Sequence, residues 1–467
     1  MIKQPLIVFI LIDGARPDAI QKLLDTGDLP NIAGIIAGGT FRTAVTCCPS
    51  TTGPAYLPFL TGRFPGTANI PGIRWLDKRQ FYGKKLSLSR FRSYNGIEAP
   101  LFNRDLPPHQ PTIFELFNRP YNIYSIISRG LPKGHDLTAR SKAIQYLYGH
   151  LTDDWTRVDN HGLTLLLRIL DQDPDFIFAV FPGVDSYSHL SHPFHEKTMQ
   201  AYRFIDMVVE KVSAKLRQQG RWDDTLLILT SDHGLTETHT HLDLALYLKR
   251  FGIDTLYYPI VWKRKPLASV MISGNALGHV YWLDGYHYNR LGRLQEMMPH
   301  IKEDLLGRNE IDMVVSRLAK REYLIESSRG GAIVGDTPAG LTYEPLDGDP
   351  LGYGGNLGPL NRRAALESTF DSDYPDGLLQ IAQIFSCSRC SDWIVISNNG
   401  YDLRKAWEWP EHHASHGSLC RQHMIVPVIY NRTGWRQGPM RTTDLFNTML
   451  KWAGKPIVDG TDGETLI

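Results

Sequence analysis

TLLILTSDHG (225–234) is the stretch whose reading sets the fold class. Its apolar and β-branched residues run without alternation and stop abruptly at Ser231-Asp232-His233. A strand wet on one face alternates polar with apolar, whereas a strand without alternation is covered on both faces. The same shape recurs in LIVFILID (6–13), NIYSIIS (122–128), DFIFAVFPGVD (175–185), DWIVIS (392–397) and HMIVPVIYN (423–431). Segments of helical period lie between many of these, among them DAIQKLLDTG (18–27), LTLLLRILDQ (163–172) and MQAYRFIDMVVEKVSAKLRQQG (199–220). Buried strands interleaved with helices predict an α/β fold with a central, mainly parallel sheet covered on both faces.

Two regions break this rhythm. Residues 65–110 hold PGTANIPGIRW and EAPLFNRDLPP, rich in Pro, Gly and Asn. Residues 250–385 mix short strands such as GHVYWL (278–283) with helical pieces and the Gly-rich LDGDPLGYGGNLGPLN (346–361). Both read as insertions that cap the carboxyl edge of the sheet. The expected division is a catalytic core of 1–64, 111–249 and 386–467, a first cap insertion of 65–110 and a second of 250–385. Trp75, Phe81, Tyr82 and the Gly-rich stretch are candidates for shaping a pocket, although aromatics in an insertion ordinarily build its own small core. The chain shows no internal repeat and no low-complexity tract.

The 467 residues are 42% hydrophobic and 21% charged, an ordinary globular composition. The length suits two domains or one core with a large insertion. A net charge of +1 leaves no footprint for nucleic acid or an anionic membrane. The one basic run, Lys263-Arg264-Lys265, reads as a solvated loop. Five cysteines is an odd count without the spacing of a disulfide framework, and Cys387-x-x-Cys390 has no second pair to complete a metal site. This usage fits a reducing compartment. The apolar start, Leu6 to Ile12, is too short to span a membrane and lacks a small-residue cleavage site. The expected location is therefore cytoplasmic.

Three of the strand-like runs end in acids: Asp13, Asp185 and Asp232. In open parallel sheets, ligands bind beyond the carboxyl ends of the strands. Taken alone, Asp13 before Gly14 reads equally well as a helix cap. The neighbours change that reading. Asp185 is followed four residues on by His189, Asp232 directly by His233, and EHHASHGS (411–418) adds His412, His413 and His416. Carboxylate oxygen and imidazole nitrogen suit a borderline divalent ion such as Zn²⁺ or Mn²⁺. Three acids and three histidines suffice for two sites of three protein ligands each, leaving the open position that a catalytic metal needs.

A nucleophile is sought in TCCPSTTG (46–53). Cys47-Cys48-Pro49 begins like the Cys-x-Pro-x-Arg run that sulfatases oxidise to formylglycine. That register requires Arg at position 51, where Thr51 stands. A threonine hydroxyl needs activation by a base or a metal, and two divalent ions about 4 Å apart supply it in phosphoryl transfer.

In their order along the chain, DGARPD (13–18), PSTTGPAYLPFLTGRFPG (49–66), GVDSYSH (183–189), SDHG (231–234) and SHGS (415–418) resemble the alkaline phosphatase superfamily. Within it they are most similar to the type I phosphodiesterase/nucleotide pyrophosphatase family. RTTDLFNTMLKWAG (441–454) is similar to that family's end, while the two insertions match nothing in the pattern. The resemblance implies an alkaline-phosphatase-like three-layer sandwich. It also implies two-metal-dependent hydrolysis of small-molecule phosphate esters, above all phosphodiesters, through a phosphothreonine intermediate. In the family pattern Pro-x-x-Thr-x-Pro is followed by Thr-Gly nine residues after the nucleophile. Pro49, Pro54 and Thr61-Gly62 fall in that register with Thr52, which implies that Thr52 attacks. One metal is then expected on Asp185, His189 and His416, and the other on Asp13, Asp232, His233 and the Thr52 oxygen. Zinc is the expected ion, with manganese or iron allowed by the ligand types. His412, His413, His192, His195, His239 and His241 match no family ligand, though His239 and His241 follow SDHG closely enough to support ligands from behind. Cys47 and Cys48 are expected to pack behind the loop.

One departure stands out. The nucleotide pyrophosphatases carry an asparagine three residues after the nucleophile, where it holds a non-bridging phosphoryl oxygen. Here that residue is Ala55, whose methyl group donates nothing. A backbone N–H, Asn69 or Arg63 is a candidate replacement. The alternatives to a phosphodiesterase are a phosphomonoesterase or phosphonate hydrolase on the same core, and a non-catalytic binding protein on a hydrolase scaffold. The monoesterase would need a cationic side chain aimed at the metals.

Overall fold

Leu6–Ile12 forms a strand in which every residue is buried. It lies between two parallel neighbours, Phe176–Phe181 and Thr225–Thr230, in registers that set Ile12 beside Phe181 and Leu11 beside Thr230. Pro120–Ile123 extends the parallel set past Phe176–Phe181. Ile425–Tyr430 and Thr40–Val45 complete the other edge of this six-stranded sheet, both pairing antiparallel. Side chains of a strand point alternately to the two faces. No residue of the three central strands is more than 1% exposed, so helices cover both faces. Leu57–Thr61 packs on Asp444–Trp452 and sets Phe59 against Phe9, with ring centroids 5.1 Å apart. Trp155–Ile169, Gly183–Leu190 and Glu196–Gln218 form a second packed group. The α/β layering is the one the uninterrupted apolar runs predict.

This structure is a computed structural model that describes residues 4–83, 88–263, 265–283, 288–405 and 411–467. Of the basic run, Arg264 lies outside the described residues.

A second sheet of nine strands runs from Thr255–Tyr257 at one edge to Leu357–Leu360 at the other. It corrects one strand placement. DWIVIS reads as part of the core sheet, but Trp393–Ser397 lies inside the second sheet, antiparallel to Leu277–Trp282 and Ile311–Ala319. A fully buried strand looks alike at the centre of either sheet, so only its pairing partners tell them apart. The Gly-rich stretch supplies the edge strand Leu357–Leu360. Phe81 and Tyr82 sit in a small core with Phe91, Leu256, Met271 and Tyr281, which ties 65–110 to the second sheet.

The second sheet also reaches the loop that carries Thr52. Cys47, Cys48, Ala55 and Phe64 share an apolar cluster with Leu277, Leu378, Ile381 and Ile394. The two cysteines are packing residues, and burial pushes the Cys48 thiol up to about 12, which leaves no thiolate for attack at neutral pH.

Candidate active site

The strand Leu6–Ile12 ends at Asp13, between the exits of its two parallel neighbours. Those exits carry Asp185, in the helix Gly183–Leu190, and Asp232. Asp13 is no helix cap: the next helix, Pro17–Asp25, is capped by Arg16 without a side-chain hydrogen bond. Gly14 lets the strand ends converge. Its φ is 71°, and a Cβ there would lie 2.9 Å from Asp185 Cβ and 2.7 Å from Leu235 Cδ1.

Thr52 stands on a loop fastened on both sides. Thr46 Oγ1 donates to Asp232 O at 2.5 Å and Cys48 N to Gln380 Oε1 at 2.9 Å. Ser50 Oγ donates to Ser418 O at 2.9 Å. From Ala44 to Gly62 every residue is buried except Thr52. Ser50 and Thr51 are therefore out of reach, and the one accessible hydroxyl is the one the Pro-x-x-Thr-x-Pro register selects. Thr52 Oγ1 lies 3.2 Å from Asp13 Oδ1 and 3.1 Å from His233 Nε2.

The three histidines are oriented alike. His189 Nδ1 donates to Ala414 O at 2.7 Å, His416 Nδ1 to Ser50 O at 2.9 Å and His233 Nδ1 to Gly234 O at 3.2 Å. A carbonyl only accepts, so Nδ1 carries a hydrogen in each and Nε2 is the ring nitrogen turned towards the acids. His189 Nε2 lies 3.3 Å from Asp185 Oδ1. His233 Nε2 lies 3.5 Å from both Asp13 Oδ1 and Asp232 Oδ2. The His233 and His416 rings stack at 3.7 Å.

Ligand atoms of Asp185, His189 and His416 lie within 4.8 Å of one another, and so do those of Asp13, Asp185 and His233. The second cluster differs from the expected set, with Asp185 standing between the two and Asp232 reaching in through His233. Asp185 Oδ1 and Asp232 Oδ2 are buried without a hydrogen-bond partner. Burial, then the charges of Asp232 and Asp185, raises Asp13 well above the carboxylate range. Burial also raises Asp232. For Asp185 burial acts the same way but is outweighed by His189, His416 and His233, which hold it low. Burial, then the neighbouring His233, lowers His416 well below the ordinary imidazole value. Orphaned carboxylate oxygens, converging imidazole nitrogens and crowded acids are the donor set that divalent cations fit.

Other residues of this neighbourhood match no ligand or nucleophile position of the family pattern. Tyr56 Oη donates to Asp13 Oδ2 at 3.4 Å. His412 packs on His189, ring centroids 4.4 Å apart, and is held by Asn275 at 2.8 Å. On the helix Lys142–Thr152, Lys142 and Tyr146 feel the charge of Asp13 and His150 that of His189, at a four-residue spacing visible in KAIQYLYGHLT. The remaining histidines turn elsewhere. His241 pairs with Asp402 and Glu411, His239 is exposed beside Glu237, and His195 caps Glu196–Gln218.

A sequence profile of the family described as "Type I phosphodiesterase / nucleotide pyrophosphatase" matches residues 7–419. The chain belongs to that family. Among solved structures it is similar to phosphonoacetate hydrolase from Sinorhizobium meliloti 1021, in complexes with phosphonoformate and with phosphonoacetate. There the TM-score is 0.58, with 17% identity over 97% of this chain and 96% of that one. It is also similar to murine ectonucleotide pyrophosphatase/phosphodiesterase 5, with a TM-score of 0.58 and 12% identity over 97% and 96%. At these identities the likeness shows the fold. Among curated proteins, the human GPI ethanolamine phosphate transferase 2 catalytic subunit is 32% identical over 91 residues, 19% of this chain and 9% of that protein. GPI ethanolamine phosphate transferase 3 of Saccharomyces cerevisiae is 29% identical over 143 residues, 27% and 12% of the two chains. The matches therefore span about a tenth of those relatives. No helix among the described residues is long and apolar enough to cross a membrane.

Proposed function

We propose that this family member hydrolyses small-molecule phosphodiesters, with Thr52 as nucleophile and a phosphothreonine intermediate. The observation that carries this is the Thr52 hydroxyl. It alone is accessible on its loop, and it lies between Asp13 Oδ1 and His233 Nε2. The residues that would hold two divalent ions are Asp185, His189 and His416 on one side and Asp13, Asp232, His233 and Thr52 on the other. Zinc suits this mixture of nitrogen and oxygen donors best. When bound, such ions make the threonine oxygen a nucleophile and neutralise charge building on the phosphoryl group. Thr52 Oγ forms a bond to phosphorus while the bond to the leaving alcohol breaks. Water then cleaves the phosphothreonine, frees a phosphomonoester and restores the hydroxyl. The Nδ1 hydrogen bonds fix all three imidazoles, so the pocket needs no rearrangement before attack. The segments 65–110 and 250–385 serve as its cap, and the free cysteines suit a reducing, cytoplasmic setting.

Thr52→Ala tests the reading. Turnover of an aryl phosphodiester by the zinc-loaded protein should fall at least about 10³-fold with metal content unchanged. Unchanged turnover would remove Thr52 from the chemistry. Rates on paired aryl mono- and diesters separate this reading from a monoesterase on the same core.

A further inference from the structure

The helix Lys142–Thr152 has one face that packs on the molecule and one that packs on nothing. On the packed face, Lys142 Nζ donates to Tyr124 O, and Tyr146 lies 5.6 Å from Tyr124 and edge-on to Trp155. A Cβ on Gly149 would meet the Trp155 ring at 3.0 Å. Both ends lead to the candidate active site. Two residues after Tyr124, Ile126 reaches the nucleophile turn, where a Cβ on Gly53 would lie 2.7 Å from its Cδ1. Directly after Trp155, Thr156 N donates at 3.0 Å to Tyr187 Oη, on the helix of Asp185 and His189. The helix is thus fastened at one end to the segment against Gly53 and at the other to the ligand-bearing helix.

The bare face carries Ile144, Leu147 and Leu151, which are 69%, 59% and 66% exposed. They are the three most exposed leucine and isoleucine residues among those described. Spacings of three and four residues set them in one stripe along the helix. Lys142 N donates to Thr138 O at 2.8 Å, so helical winding begins at Thr138 and Arg140, four residues before Ile144, joins the stripe. Arg140 and Lys133 are exposed and pair with no acid among the described residues. From 129 to 152 the chain has four Lys or Arg (Arg129, Lys133, Arg140, Lys142) against the single acid Asp136, an excess that the whole-chain charge of +1 hides. Acids resume at Asp153, which caps the helix end.

We propose that this stripe docks the protein on an anionic phospholipid surface. Exposed aliphatics beside unpaired cations are the pattern of a helix lying in the plane of a membrane interface, with its apolar side chains below the headgroups and its cations among them. The stripe is too small to hold a second protein. Three side chains at this exposure offer on the order of 300 to 400 Å², against about 800 Å² per partner in a stable interface. The surface does not depend on Thr52 being the nucleophile.

The test is flotation of the full chain with vesicles of mixed phosphatidylcholine and phosphatidylserine, and with vesicles of phosphatidylcholine alone. Wild type should bind the mixed vesicles, and the double variant Leu147→Gln with Leu151→Gln should bind them at least about tenfold more weakly. Arg140→Gln should lose about fivefold on the mixed vesicles and little on phosphatidylcholine, and added salt should erase that difference. All three side chains are exposed, so melting temperature and turnover of a soluble aryl phosphodiester should stay at wild-type values in these variants. Absence of vesicle binding by wild type overturns the proposal, as does equal binding by wild type and the double variant. A wild-type dimer that the double variant splits into monomers on sedimentation would give the stripe to a second copy and overturn it as well. Thr52→Ala should lose turnover yet bind vesicles like wild type, so the nucleophile and the docking surface stand or fall separately.

Discussion

Buried Asp13 and Asp232 and half-buried Asp185 repel one another unless cations lie between them. Asp13 carries that strain most visibly, raised by burial and by both other acids. A buried acid raised in this way destabilises the ionised protein at neutral pH, because folding then holds a charge that the unfolded chain keeps in water. Asp13→Asn should therefore act in opposite directions. In chelator-stripped protein it should raise the melting temperature, because the raised carboxyl is replaced by a neutral group. In zinc-loaded protein it should lower the melting temperature by weakening metal binding. Thermal melts of both proteins with and without chelator check this, and a variant less stable in both states would show that Asp13 is held by something other than cations. The acids, the histidines and Thr52 were all legible in the sequence, since each sits at the end of a recognisable run. Tyr56 was not, because nothing local distinguishes a tyrosine that faces a pocket from one that faces solvent.

At the level of elements, the join between the strand Leu277–Trp282 and the segment 65–110 passes through His279. It is fully buried, and its Nε2 donates to Pro71 O at 3.0 Å. Burial depresses this imidazole to about 4 from an ordinary 6.5. The sign follows from proton counting. Between pH 6.5 and 4 the unfolded chain binds a proton that the folded one refuses, so stability is full above pH 6.5 and is lost as pH falls towards 4. The effect is about 3 kcal/mol at most. His279→Gln keeps a donor for Pro71 but does not titrate. Denaturant melts from pH 7.5 to 4.5 should fall less steeply for the variant than for wild type, and parallel curves would exclude His279 as an acid-sensitive group. The same strand shows where pattern reading stops. GHVYWL is visibly a strand, but that it pairs with Trp393–Ser397 is a long-range fact. Pairing choice depends on which edges meet, and buried runs carry no label for their partner.

Across the whole molecule, one buried chain of polar groups runs from the C-terminal segment through the second sheet's helix to the nucleophile loop. Arg441 donates to Asp376 from Nη2 at 2.6 Å and Nε at 2.8 Å. Gln380 Nε2 donates to Asp376 Oδ2 at 2.9 Å, and Gln380 Oε1 accepts from Cys48 N at 2.9 Å. Arg441 and Asp376 are 4% and 0% exposed as side chains, so removing one partner strands a buried charge. Arg441→Met should cost about 3–5 kcal/mol in denaturant unfolding, and Arg441→Met with Asp376→Leu should recover much of it. A loss below about 1 kcal/mol for the single variant would mean that water reaches Asp376. The sequence by itself determined the α/β class, the order of the strand ends and the residue types of a candidate divalent-cation site, because burial on both faces and ligand chemistry are written in local composition. Only the tertiary structure decided which sheet Trp393–Ser397 joins, that Thr52 alone of its loop is accessible, and that Tyr56 reaches Asp13. Those facts depend on which distant surfaces meet, and exposure and proximity are properties of the packed chain that no local pattern encodes.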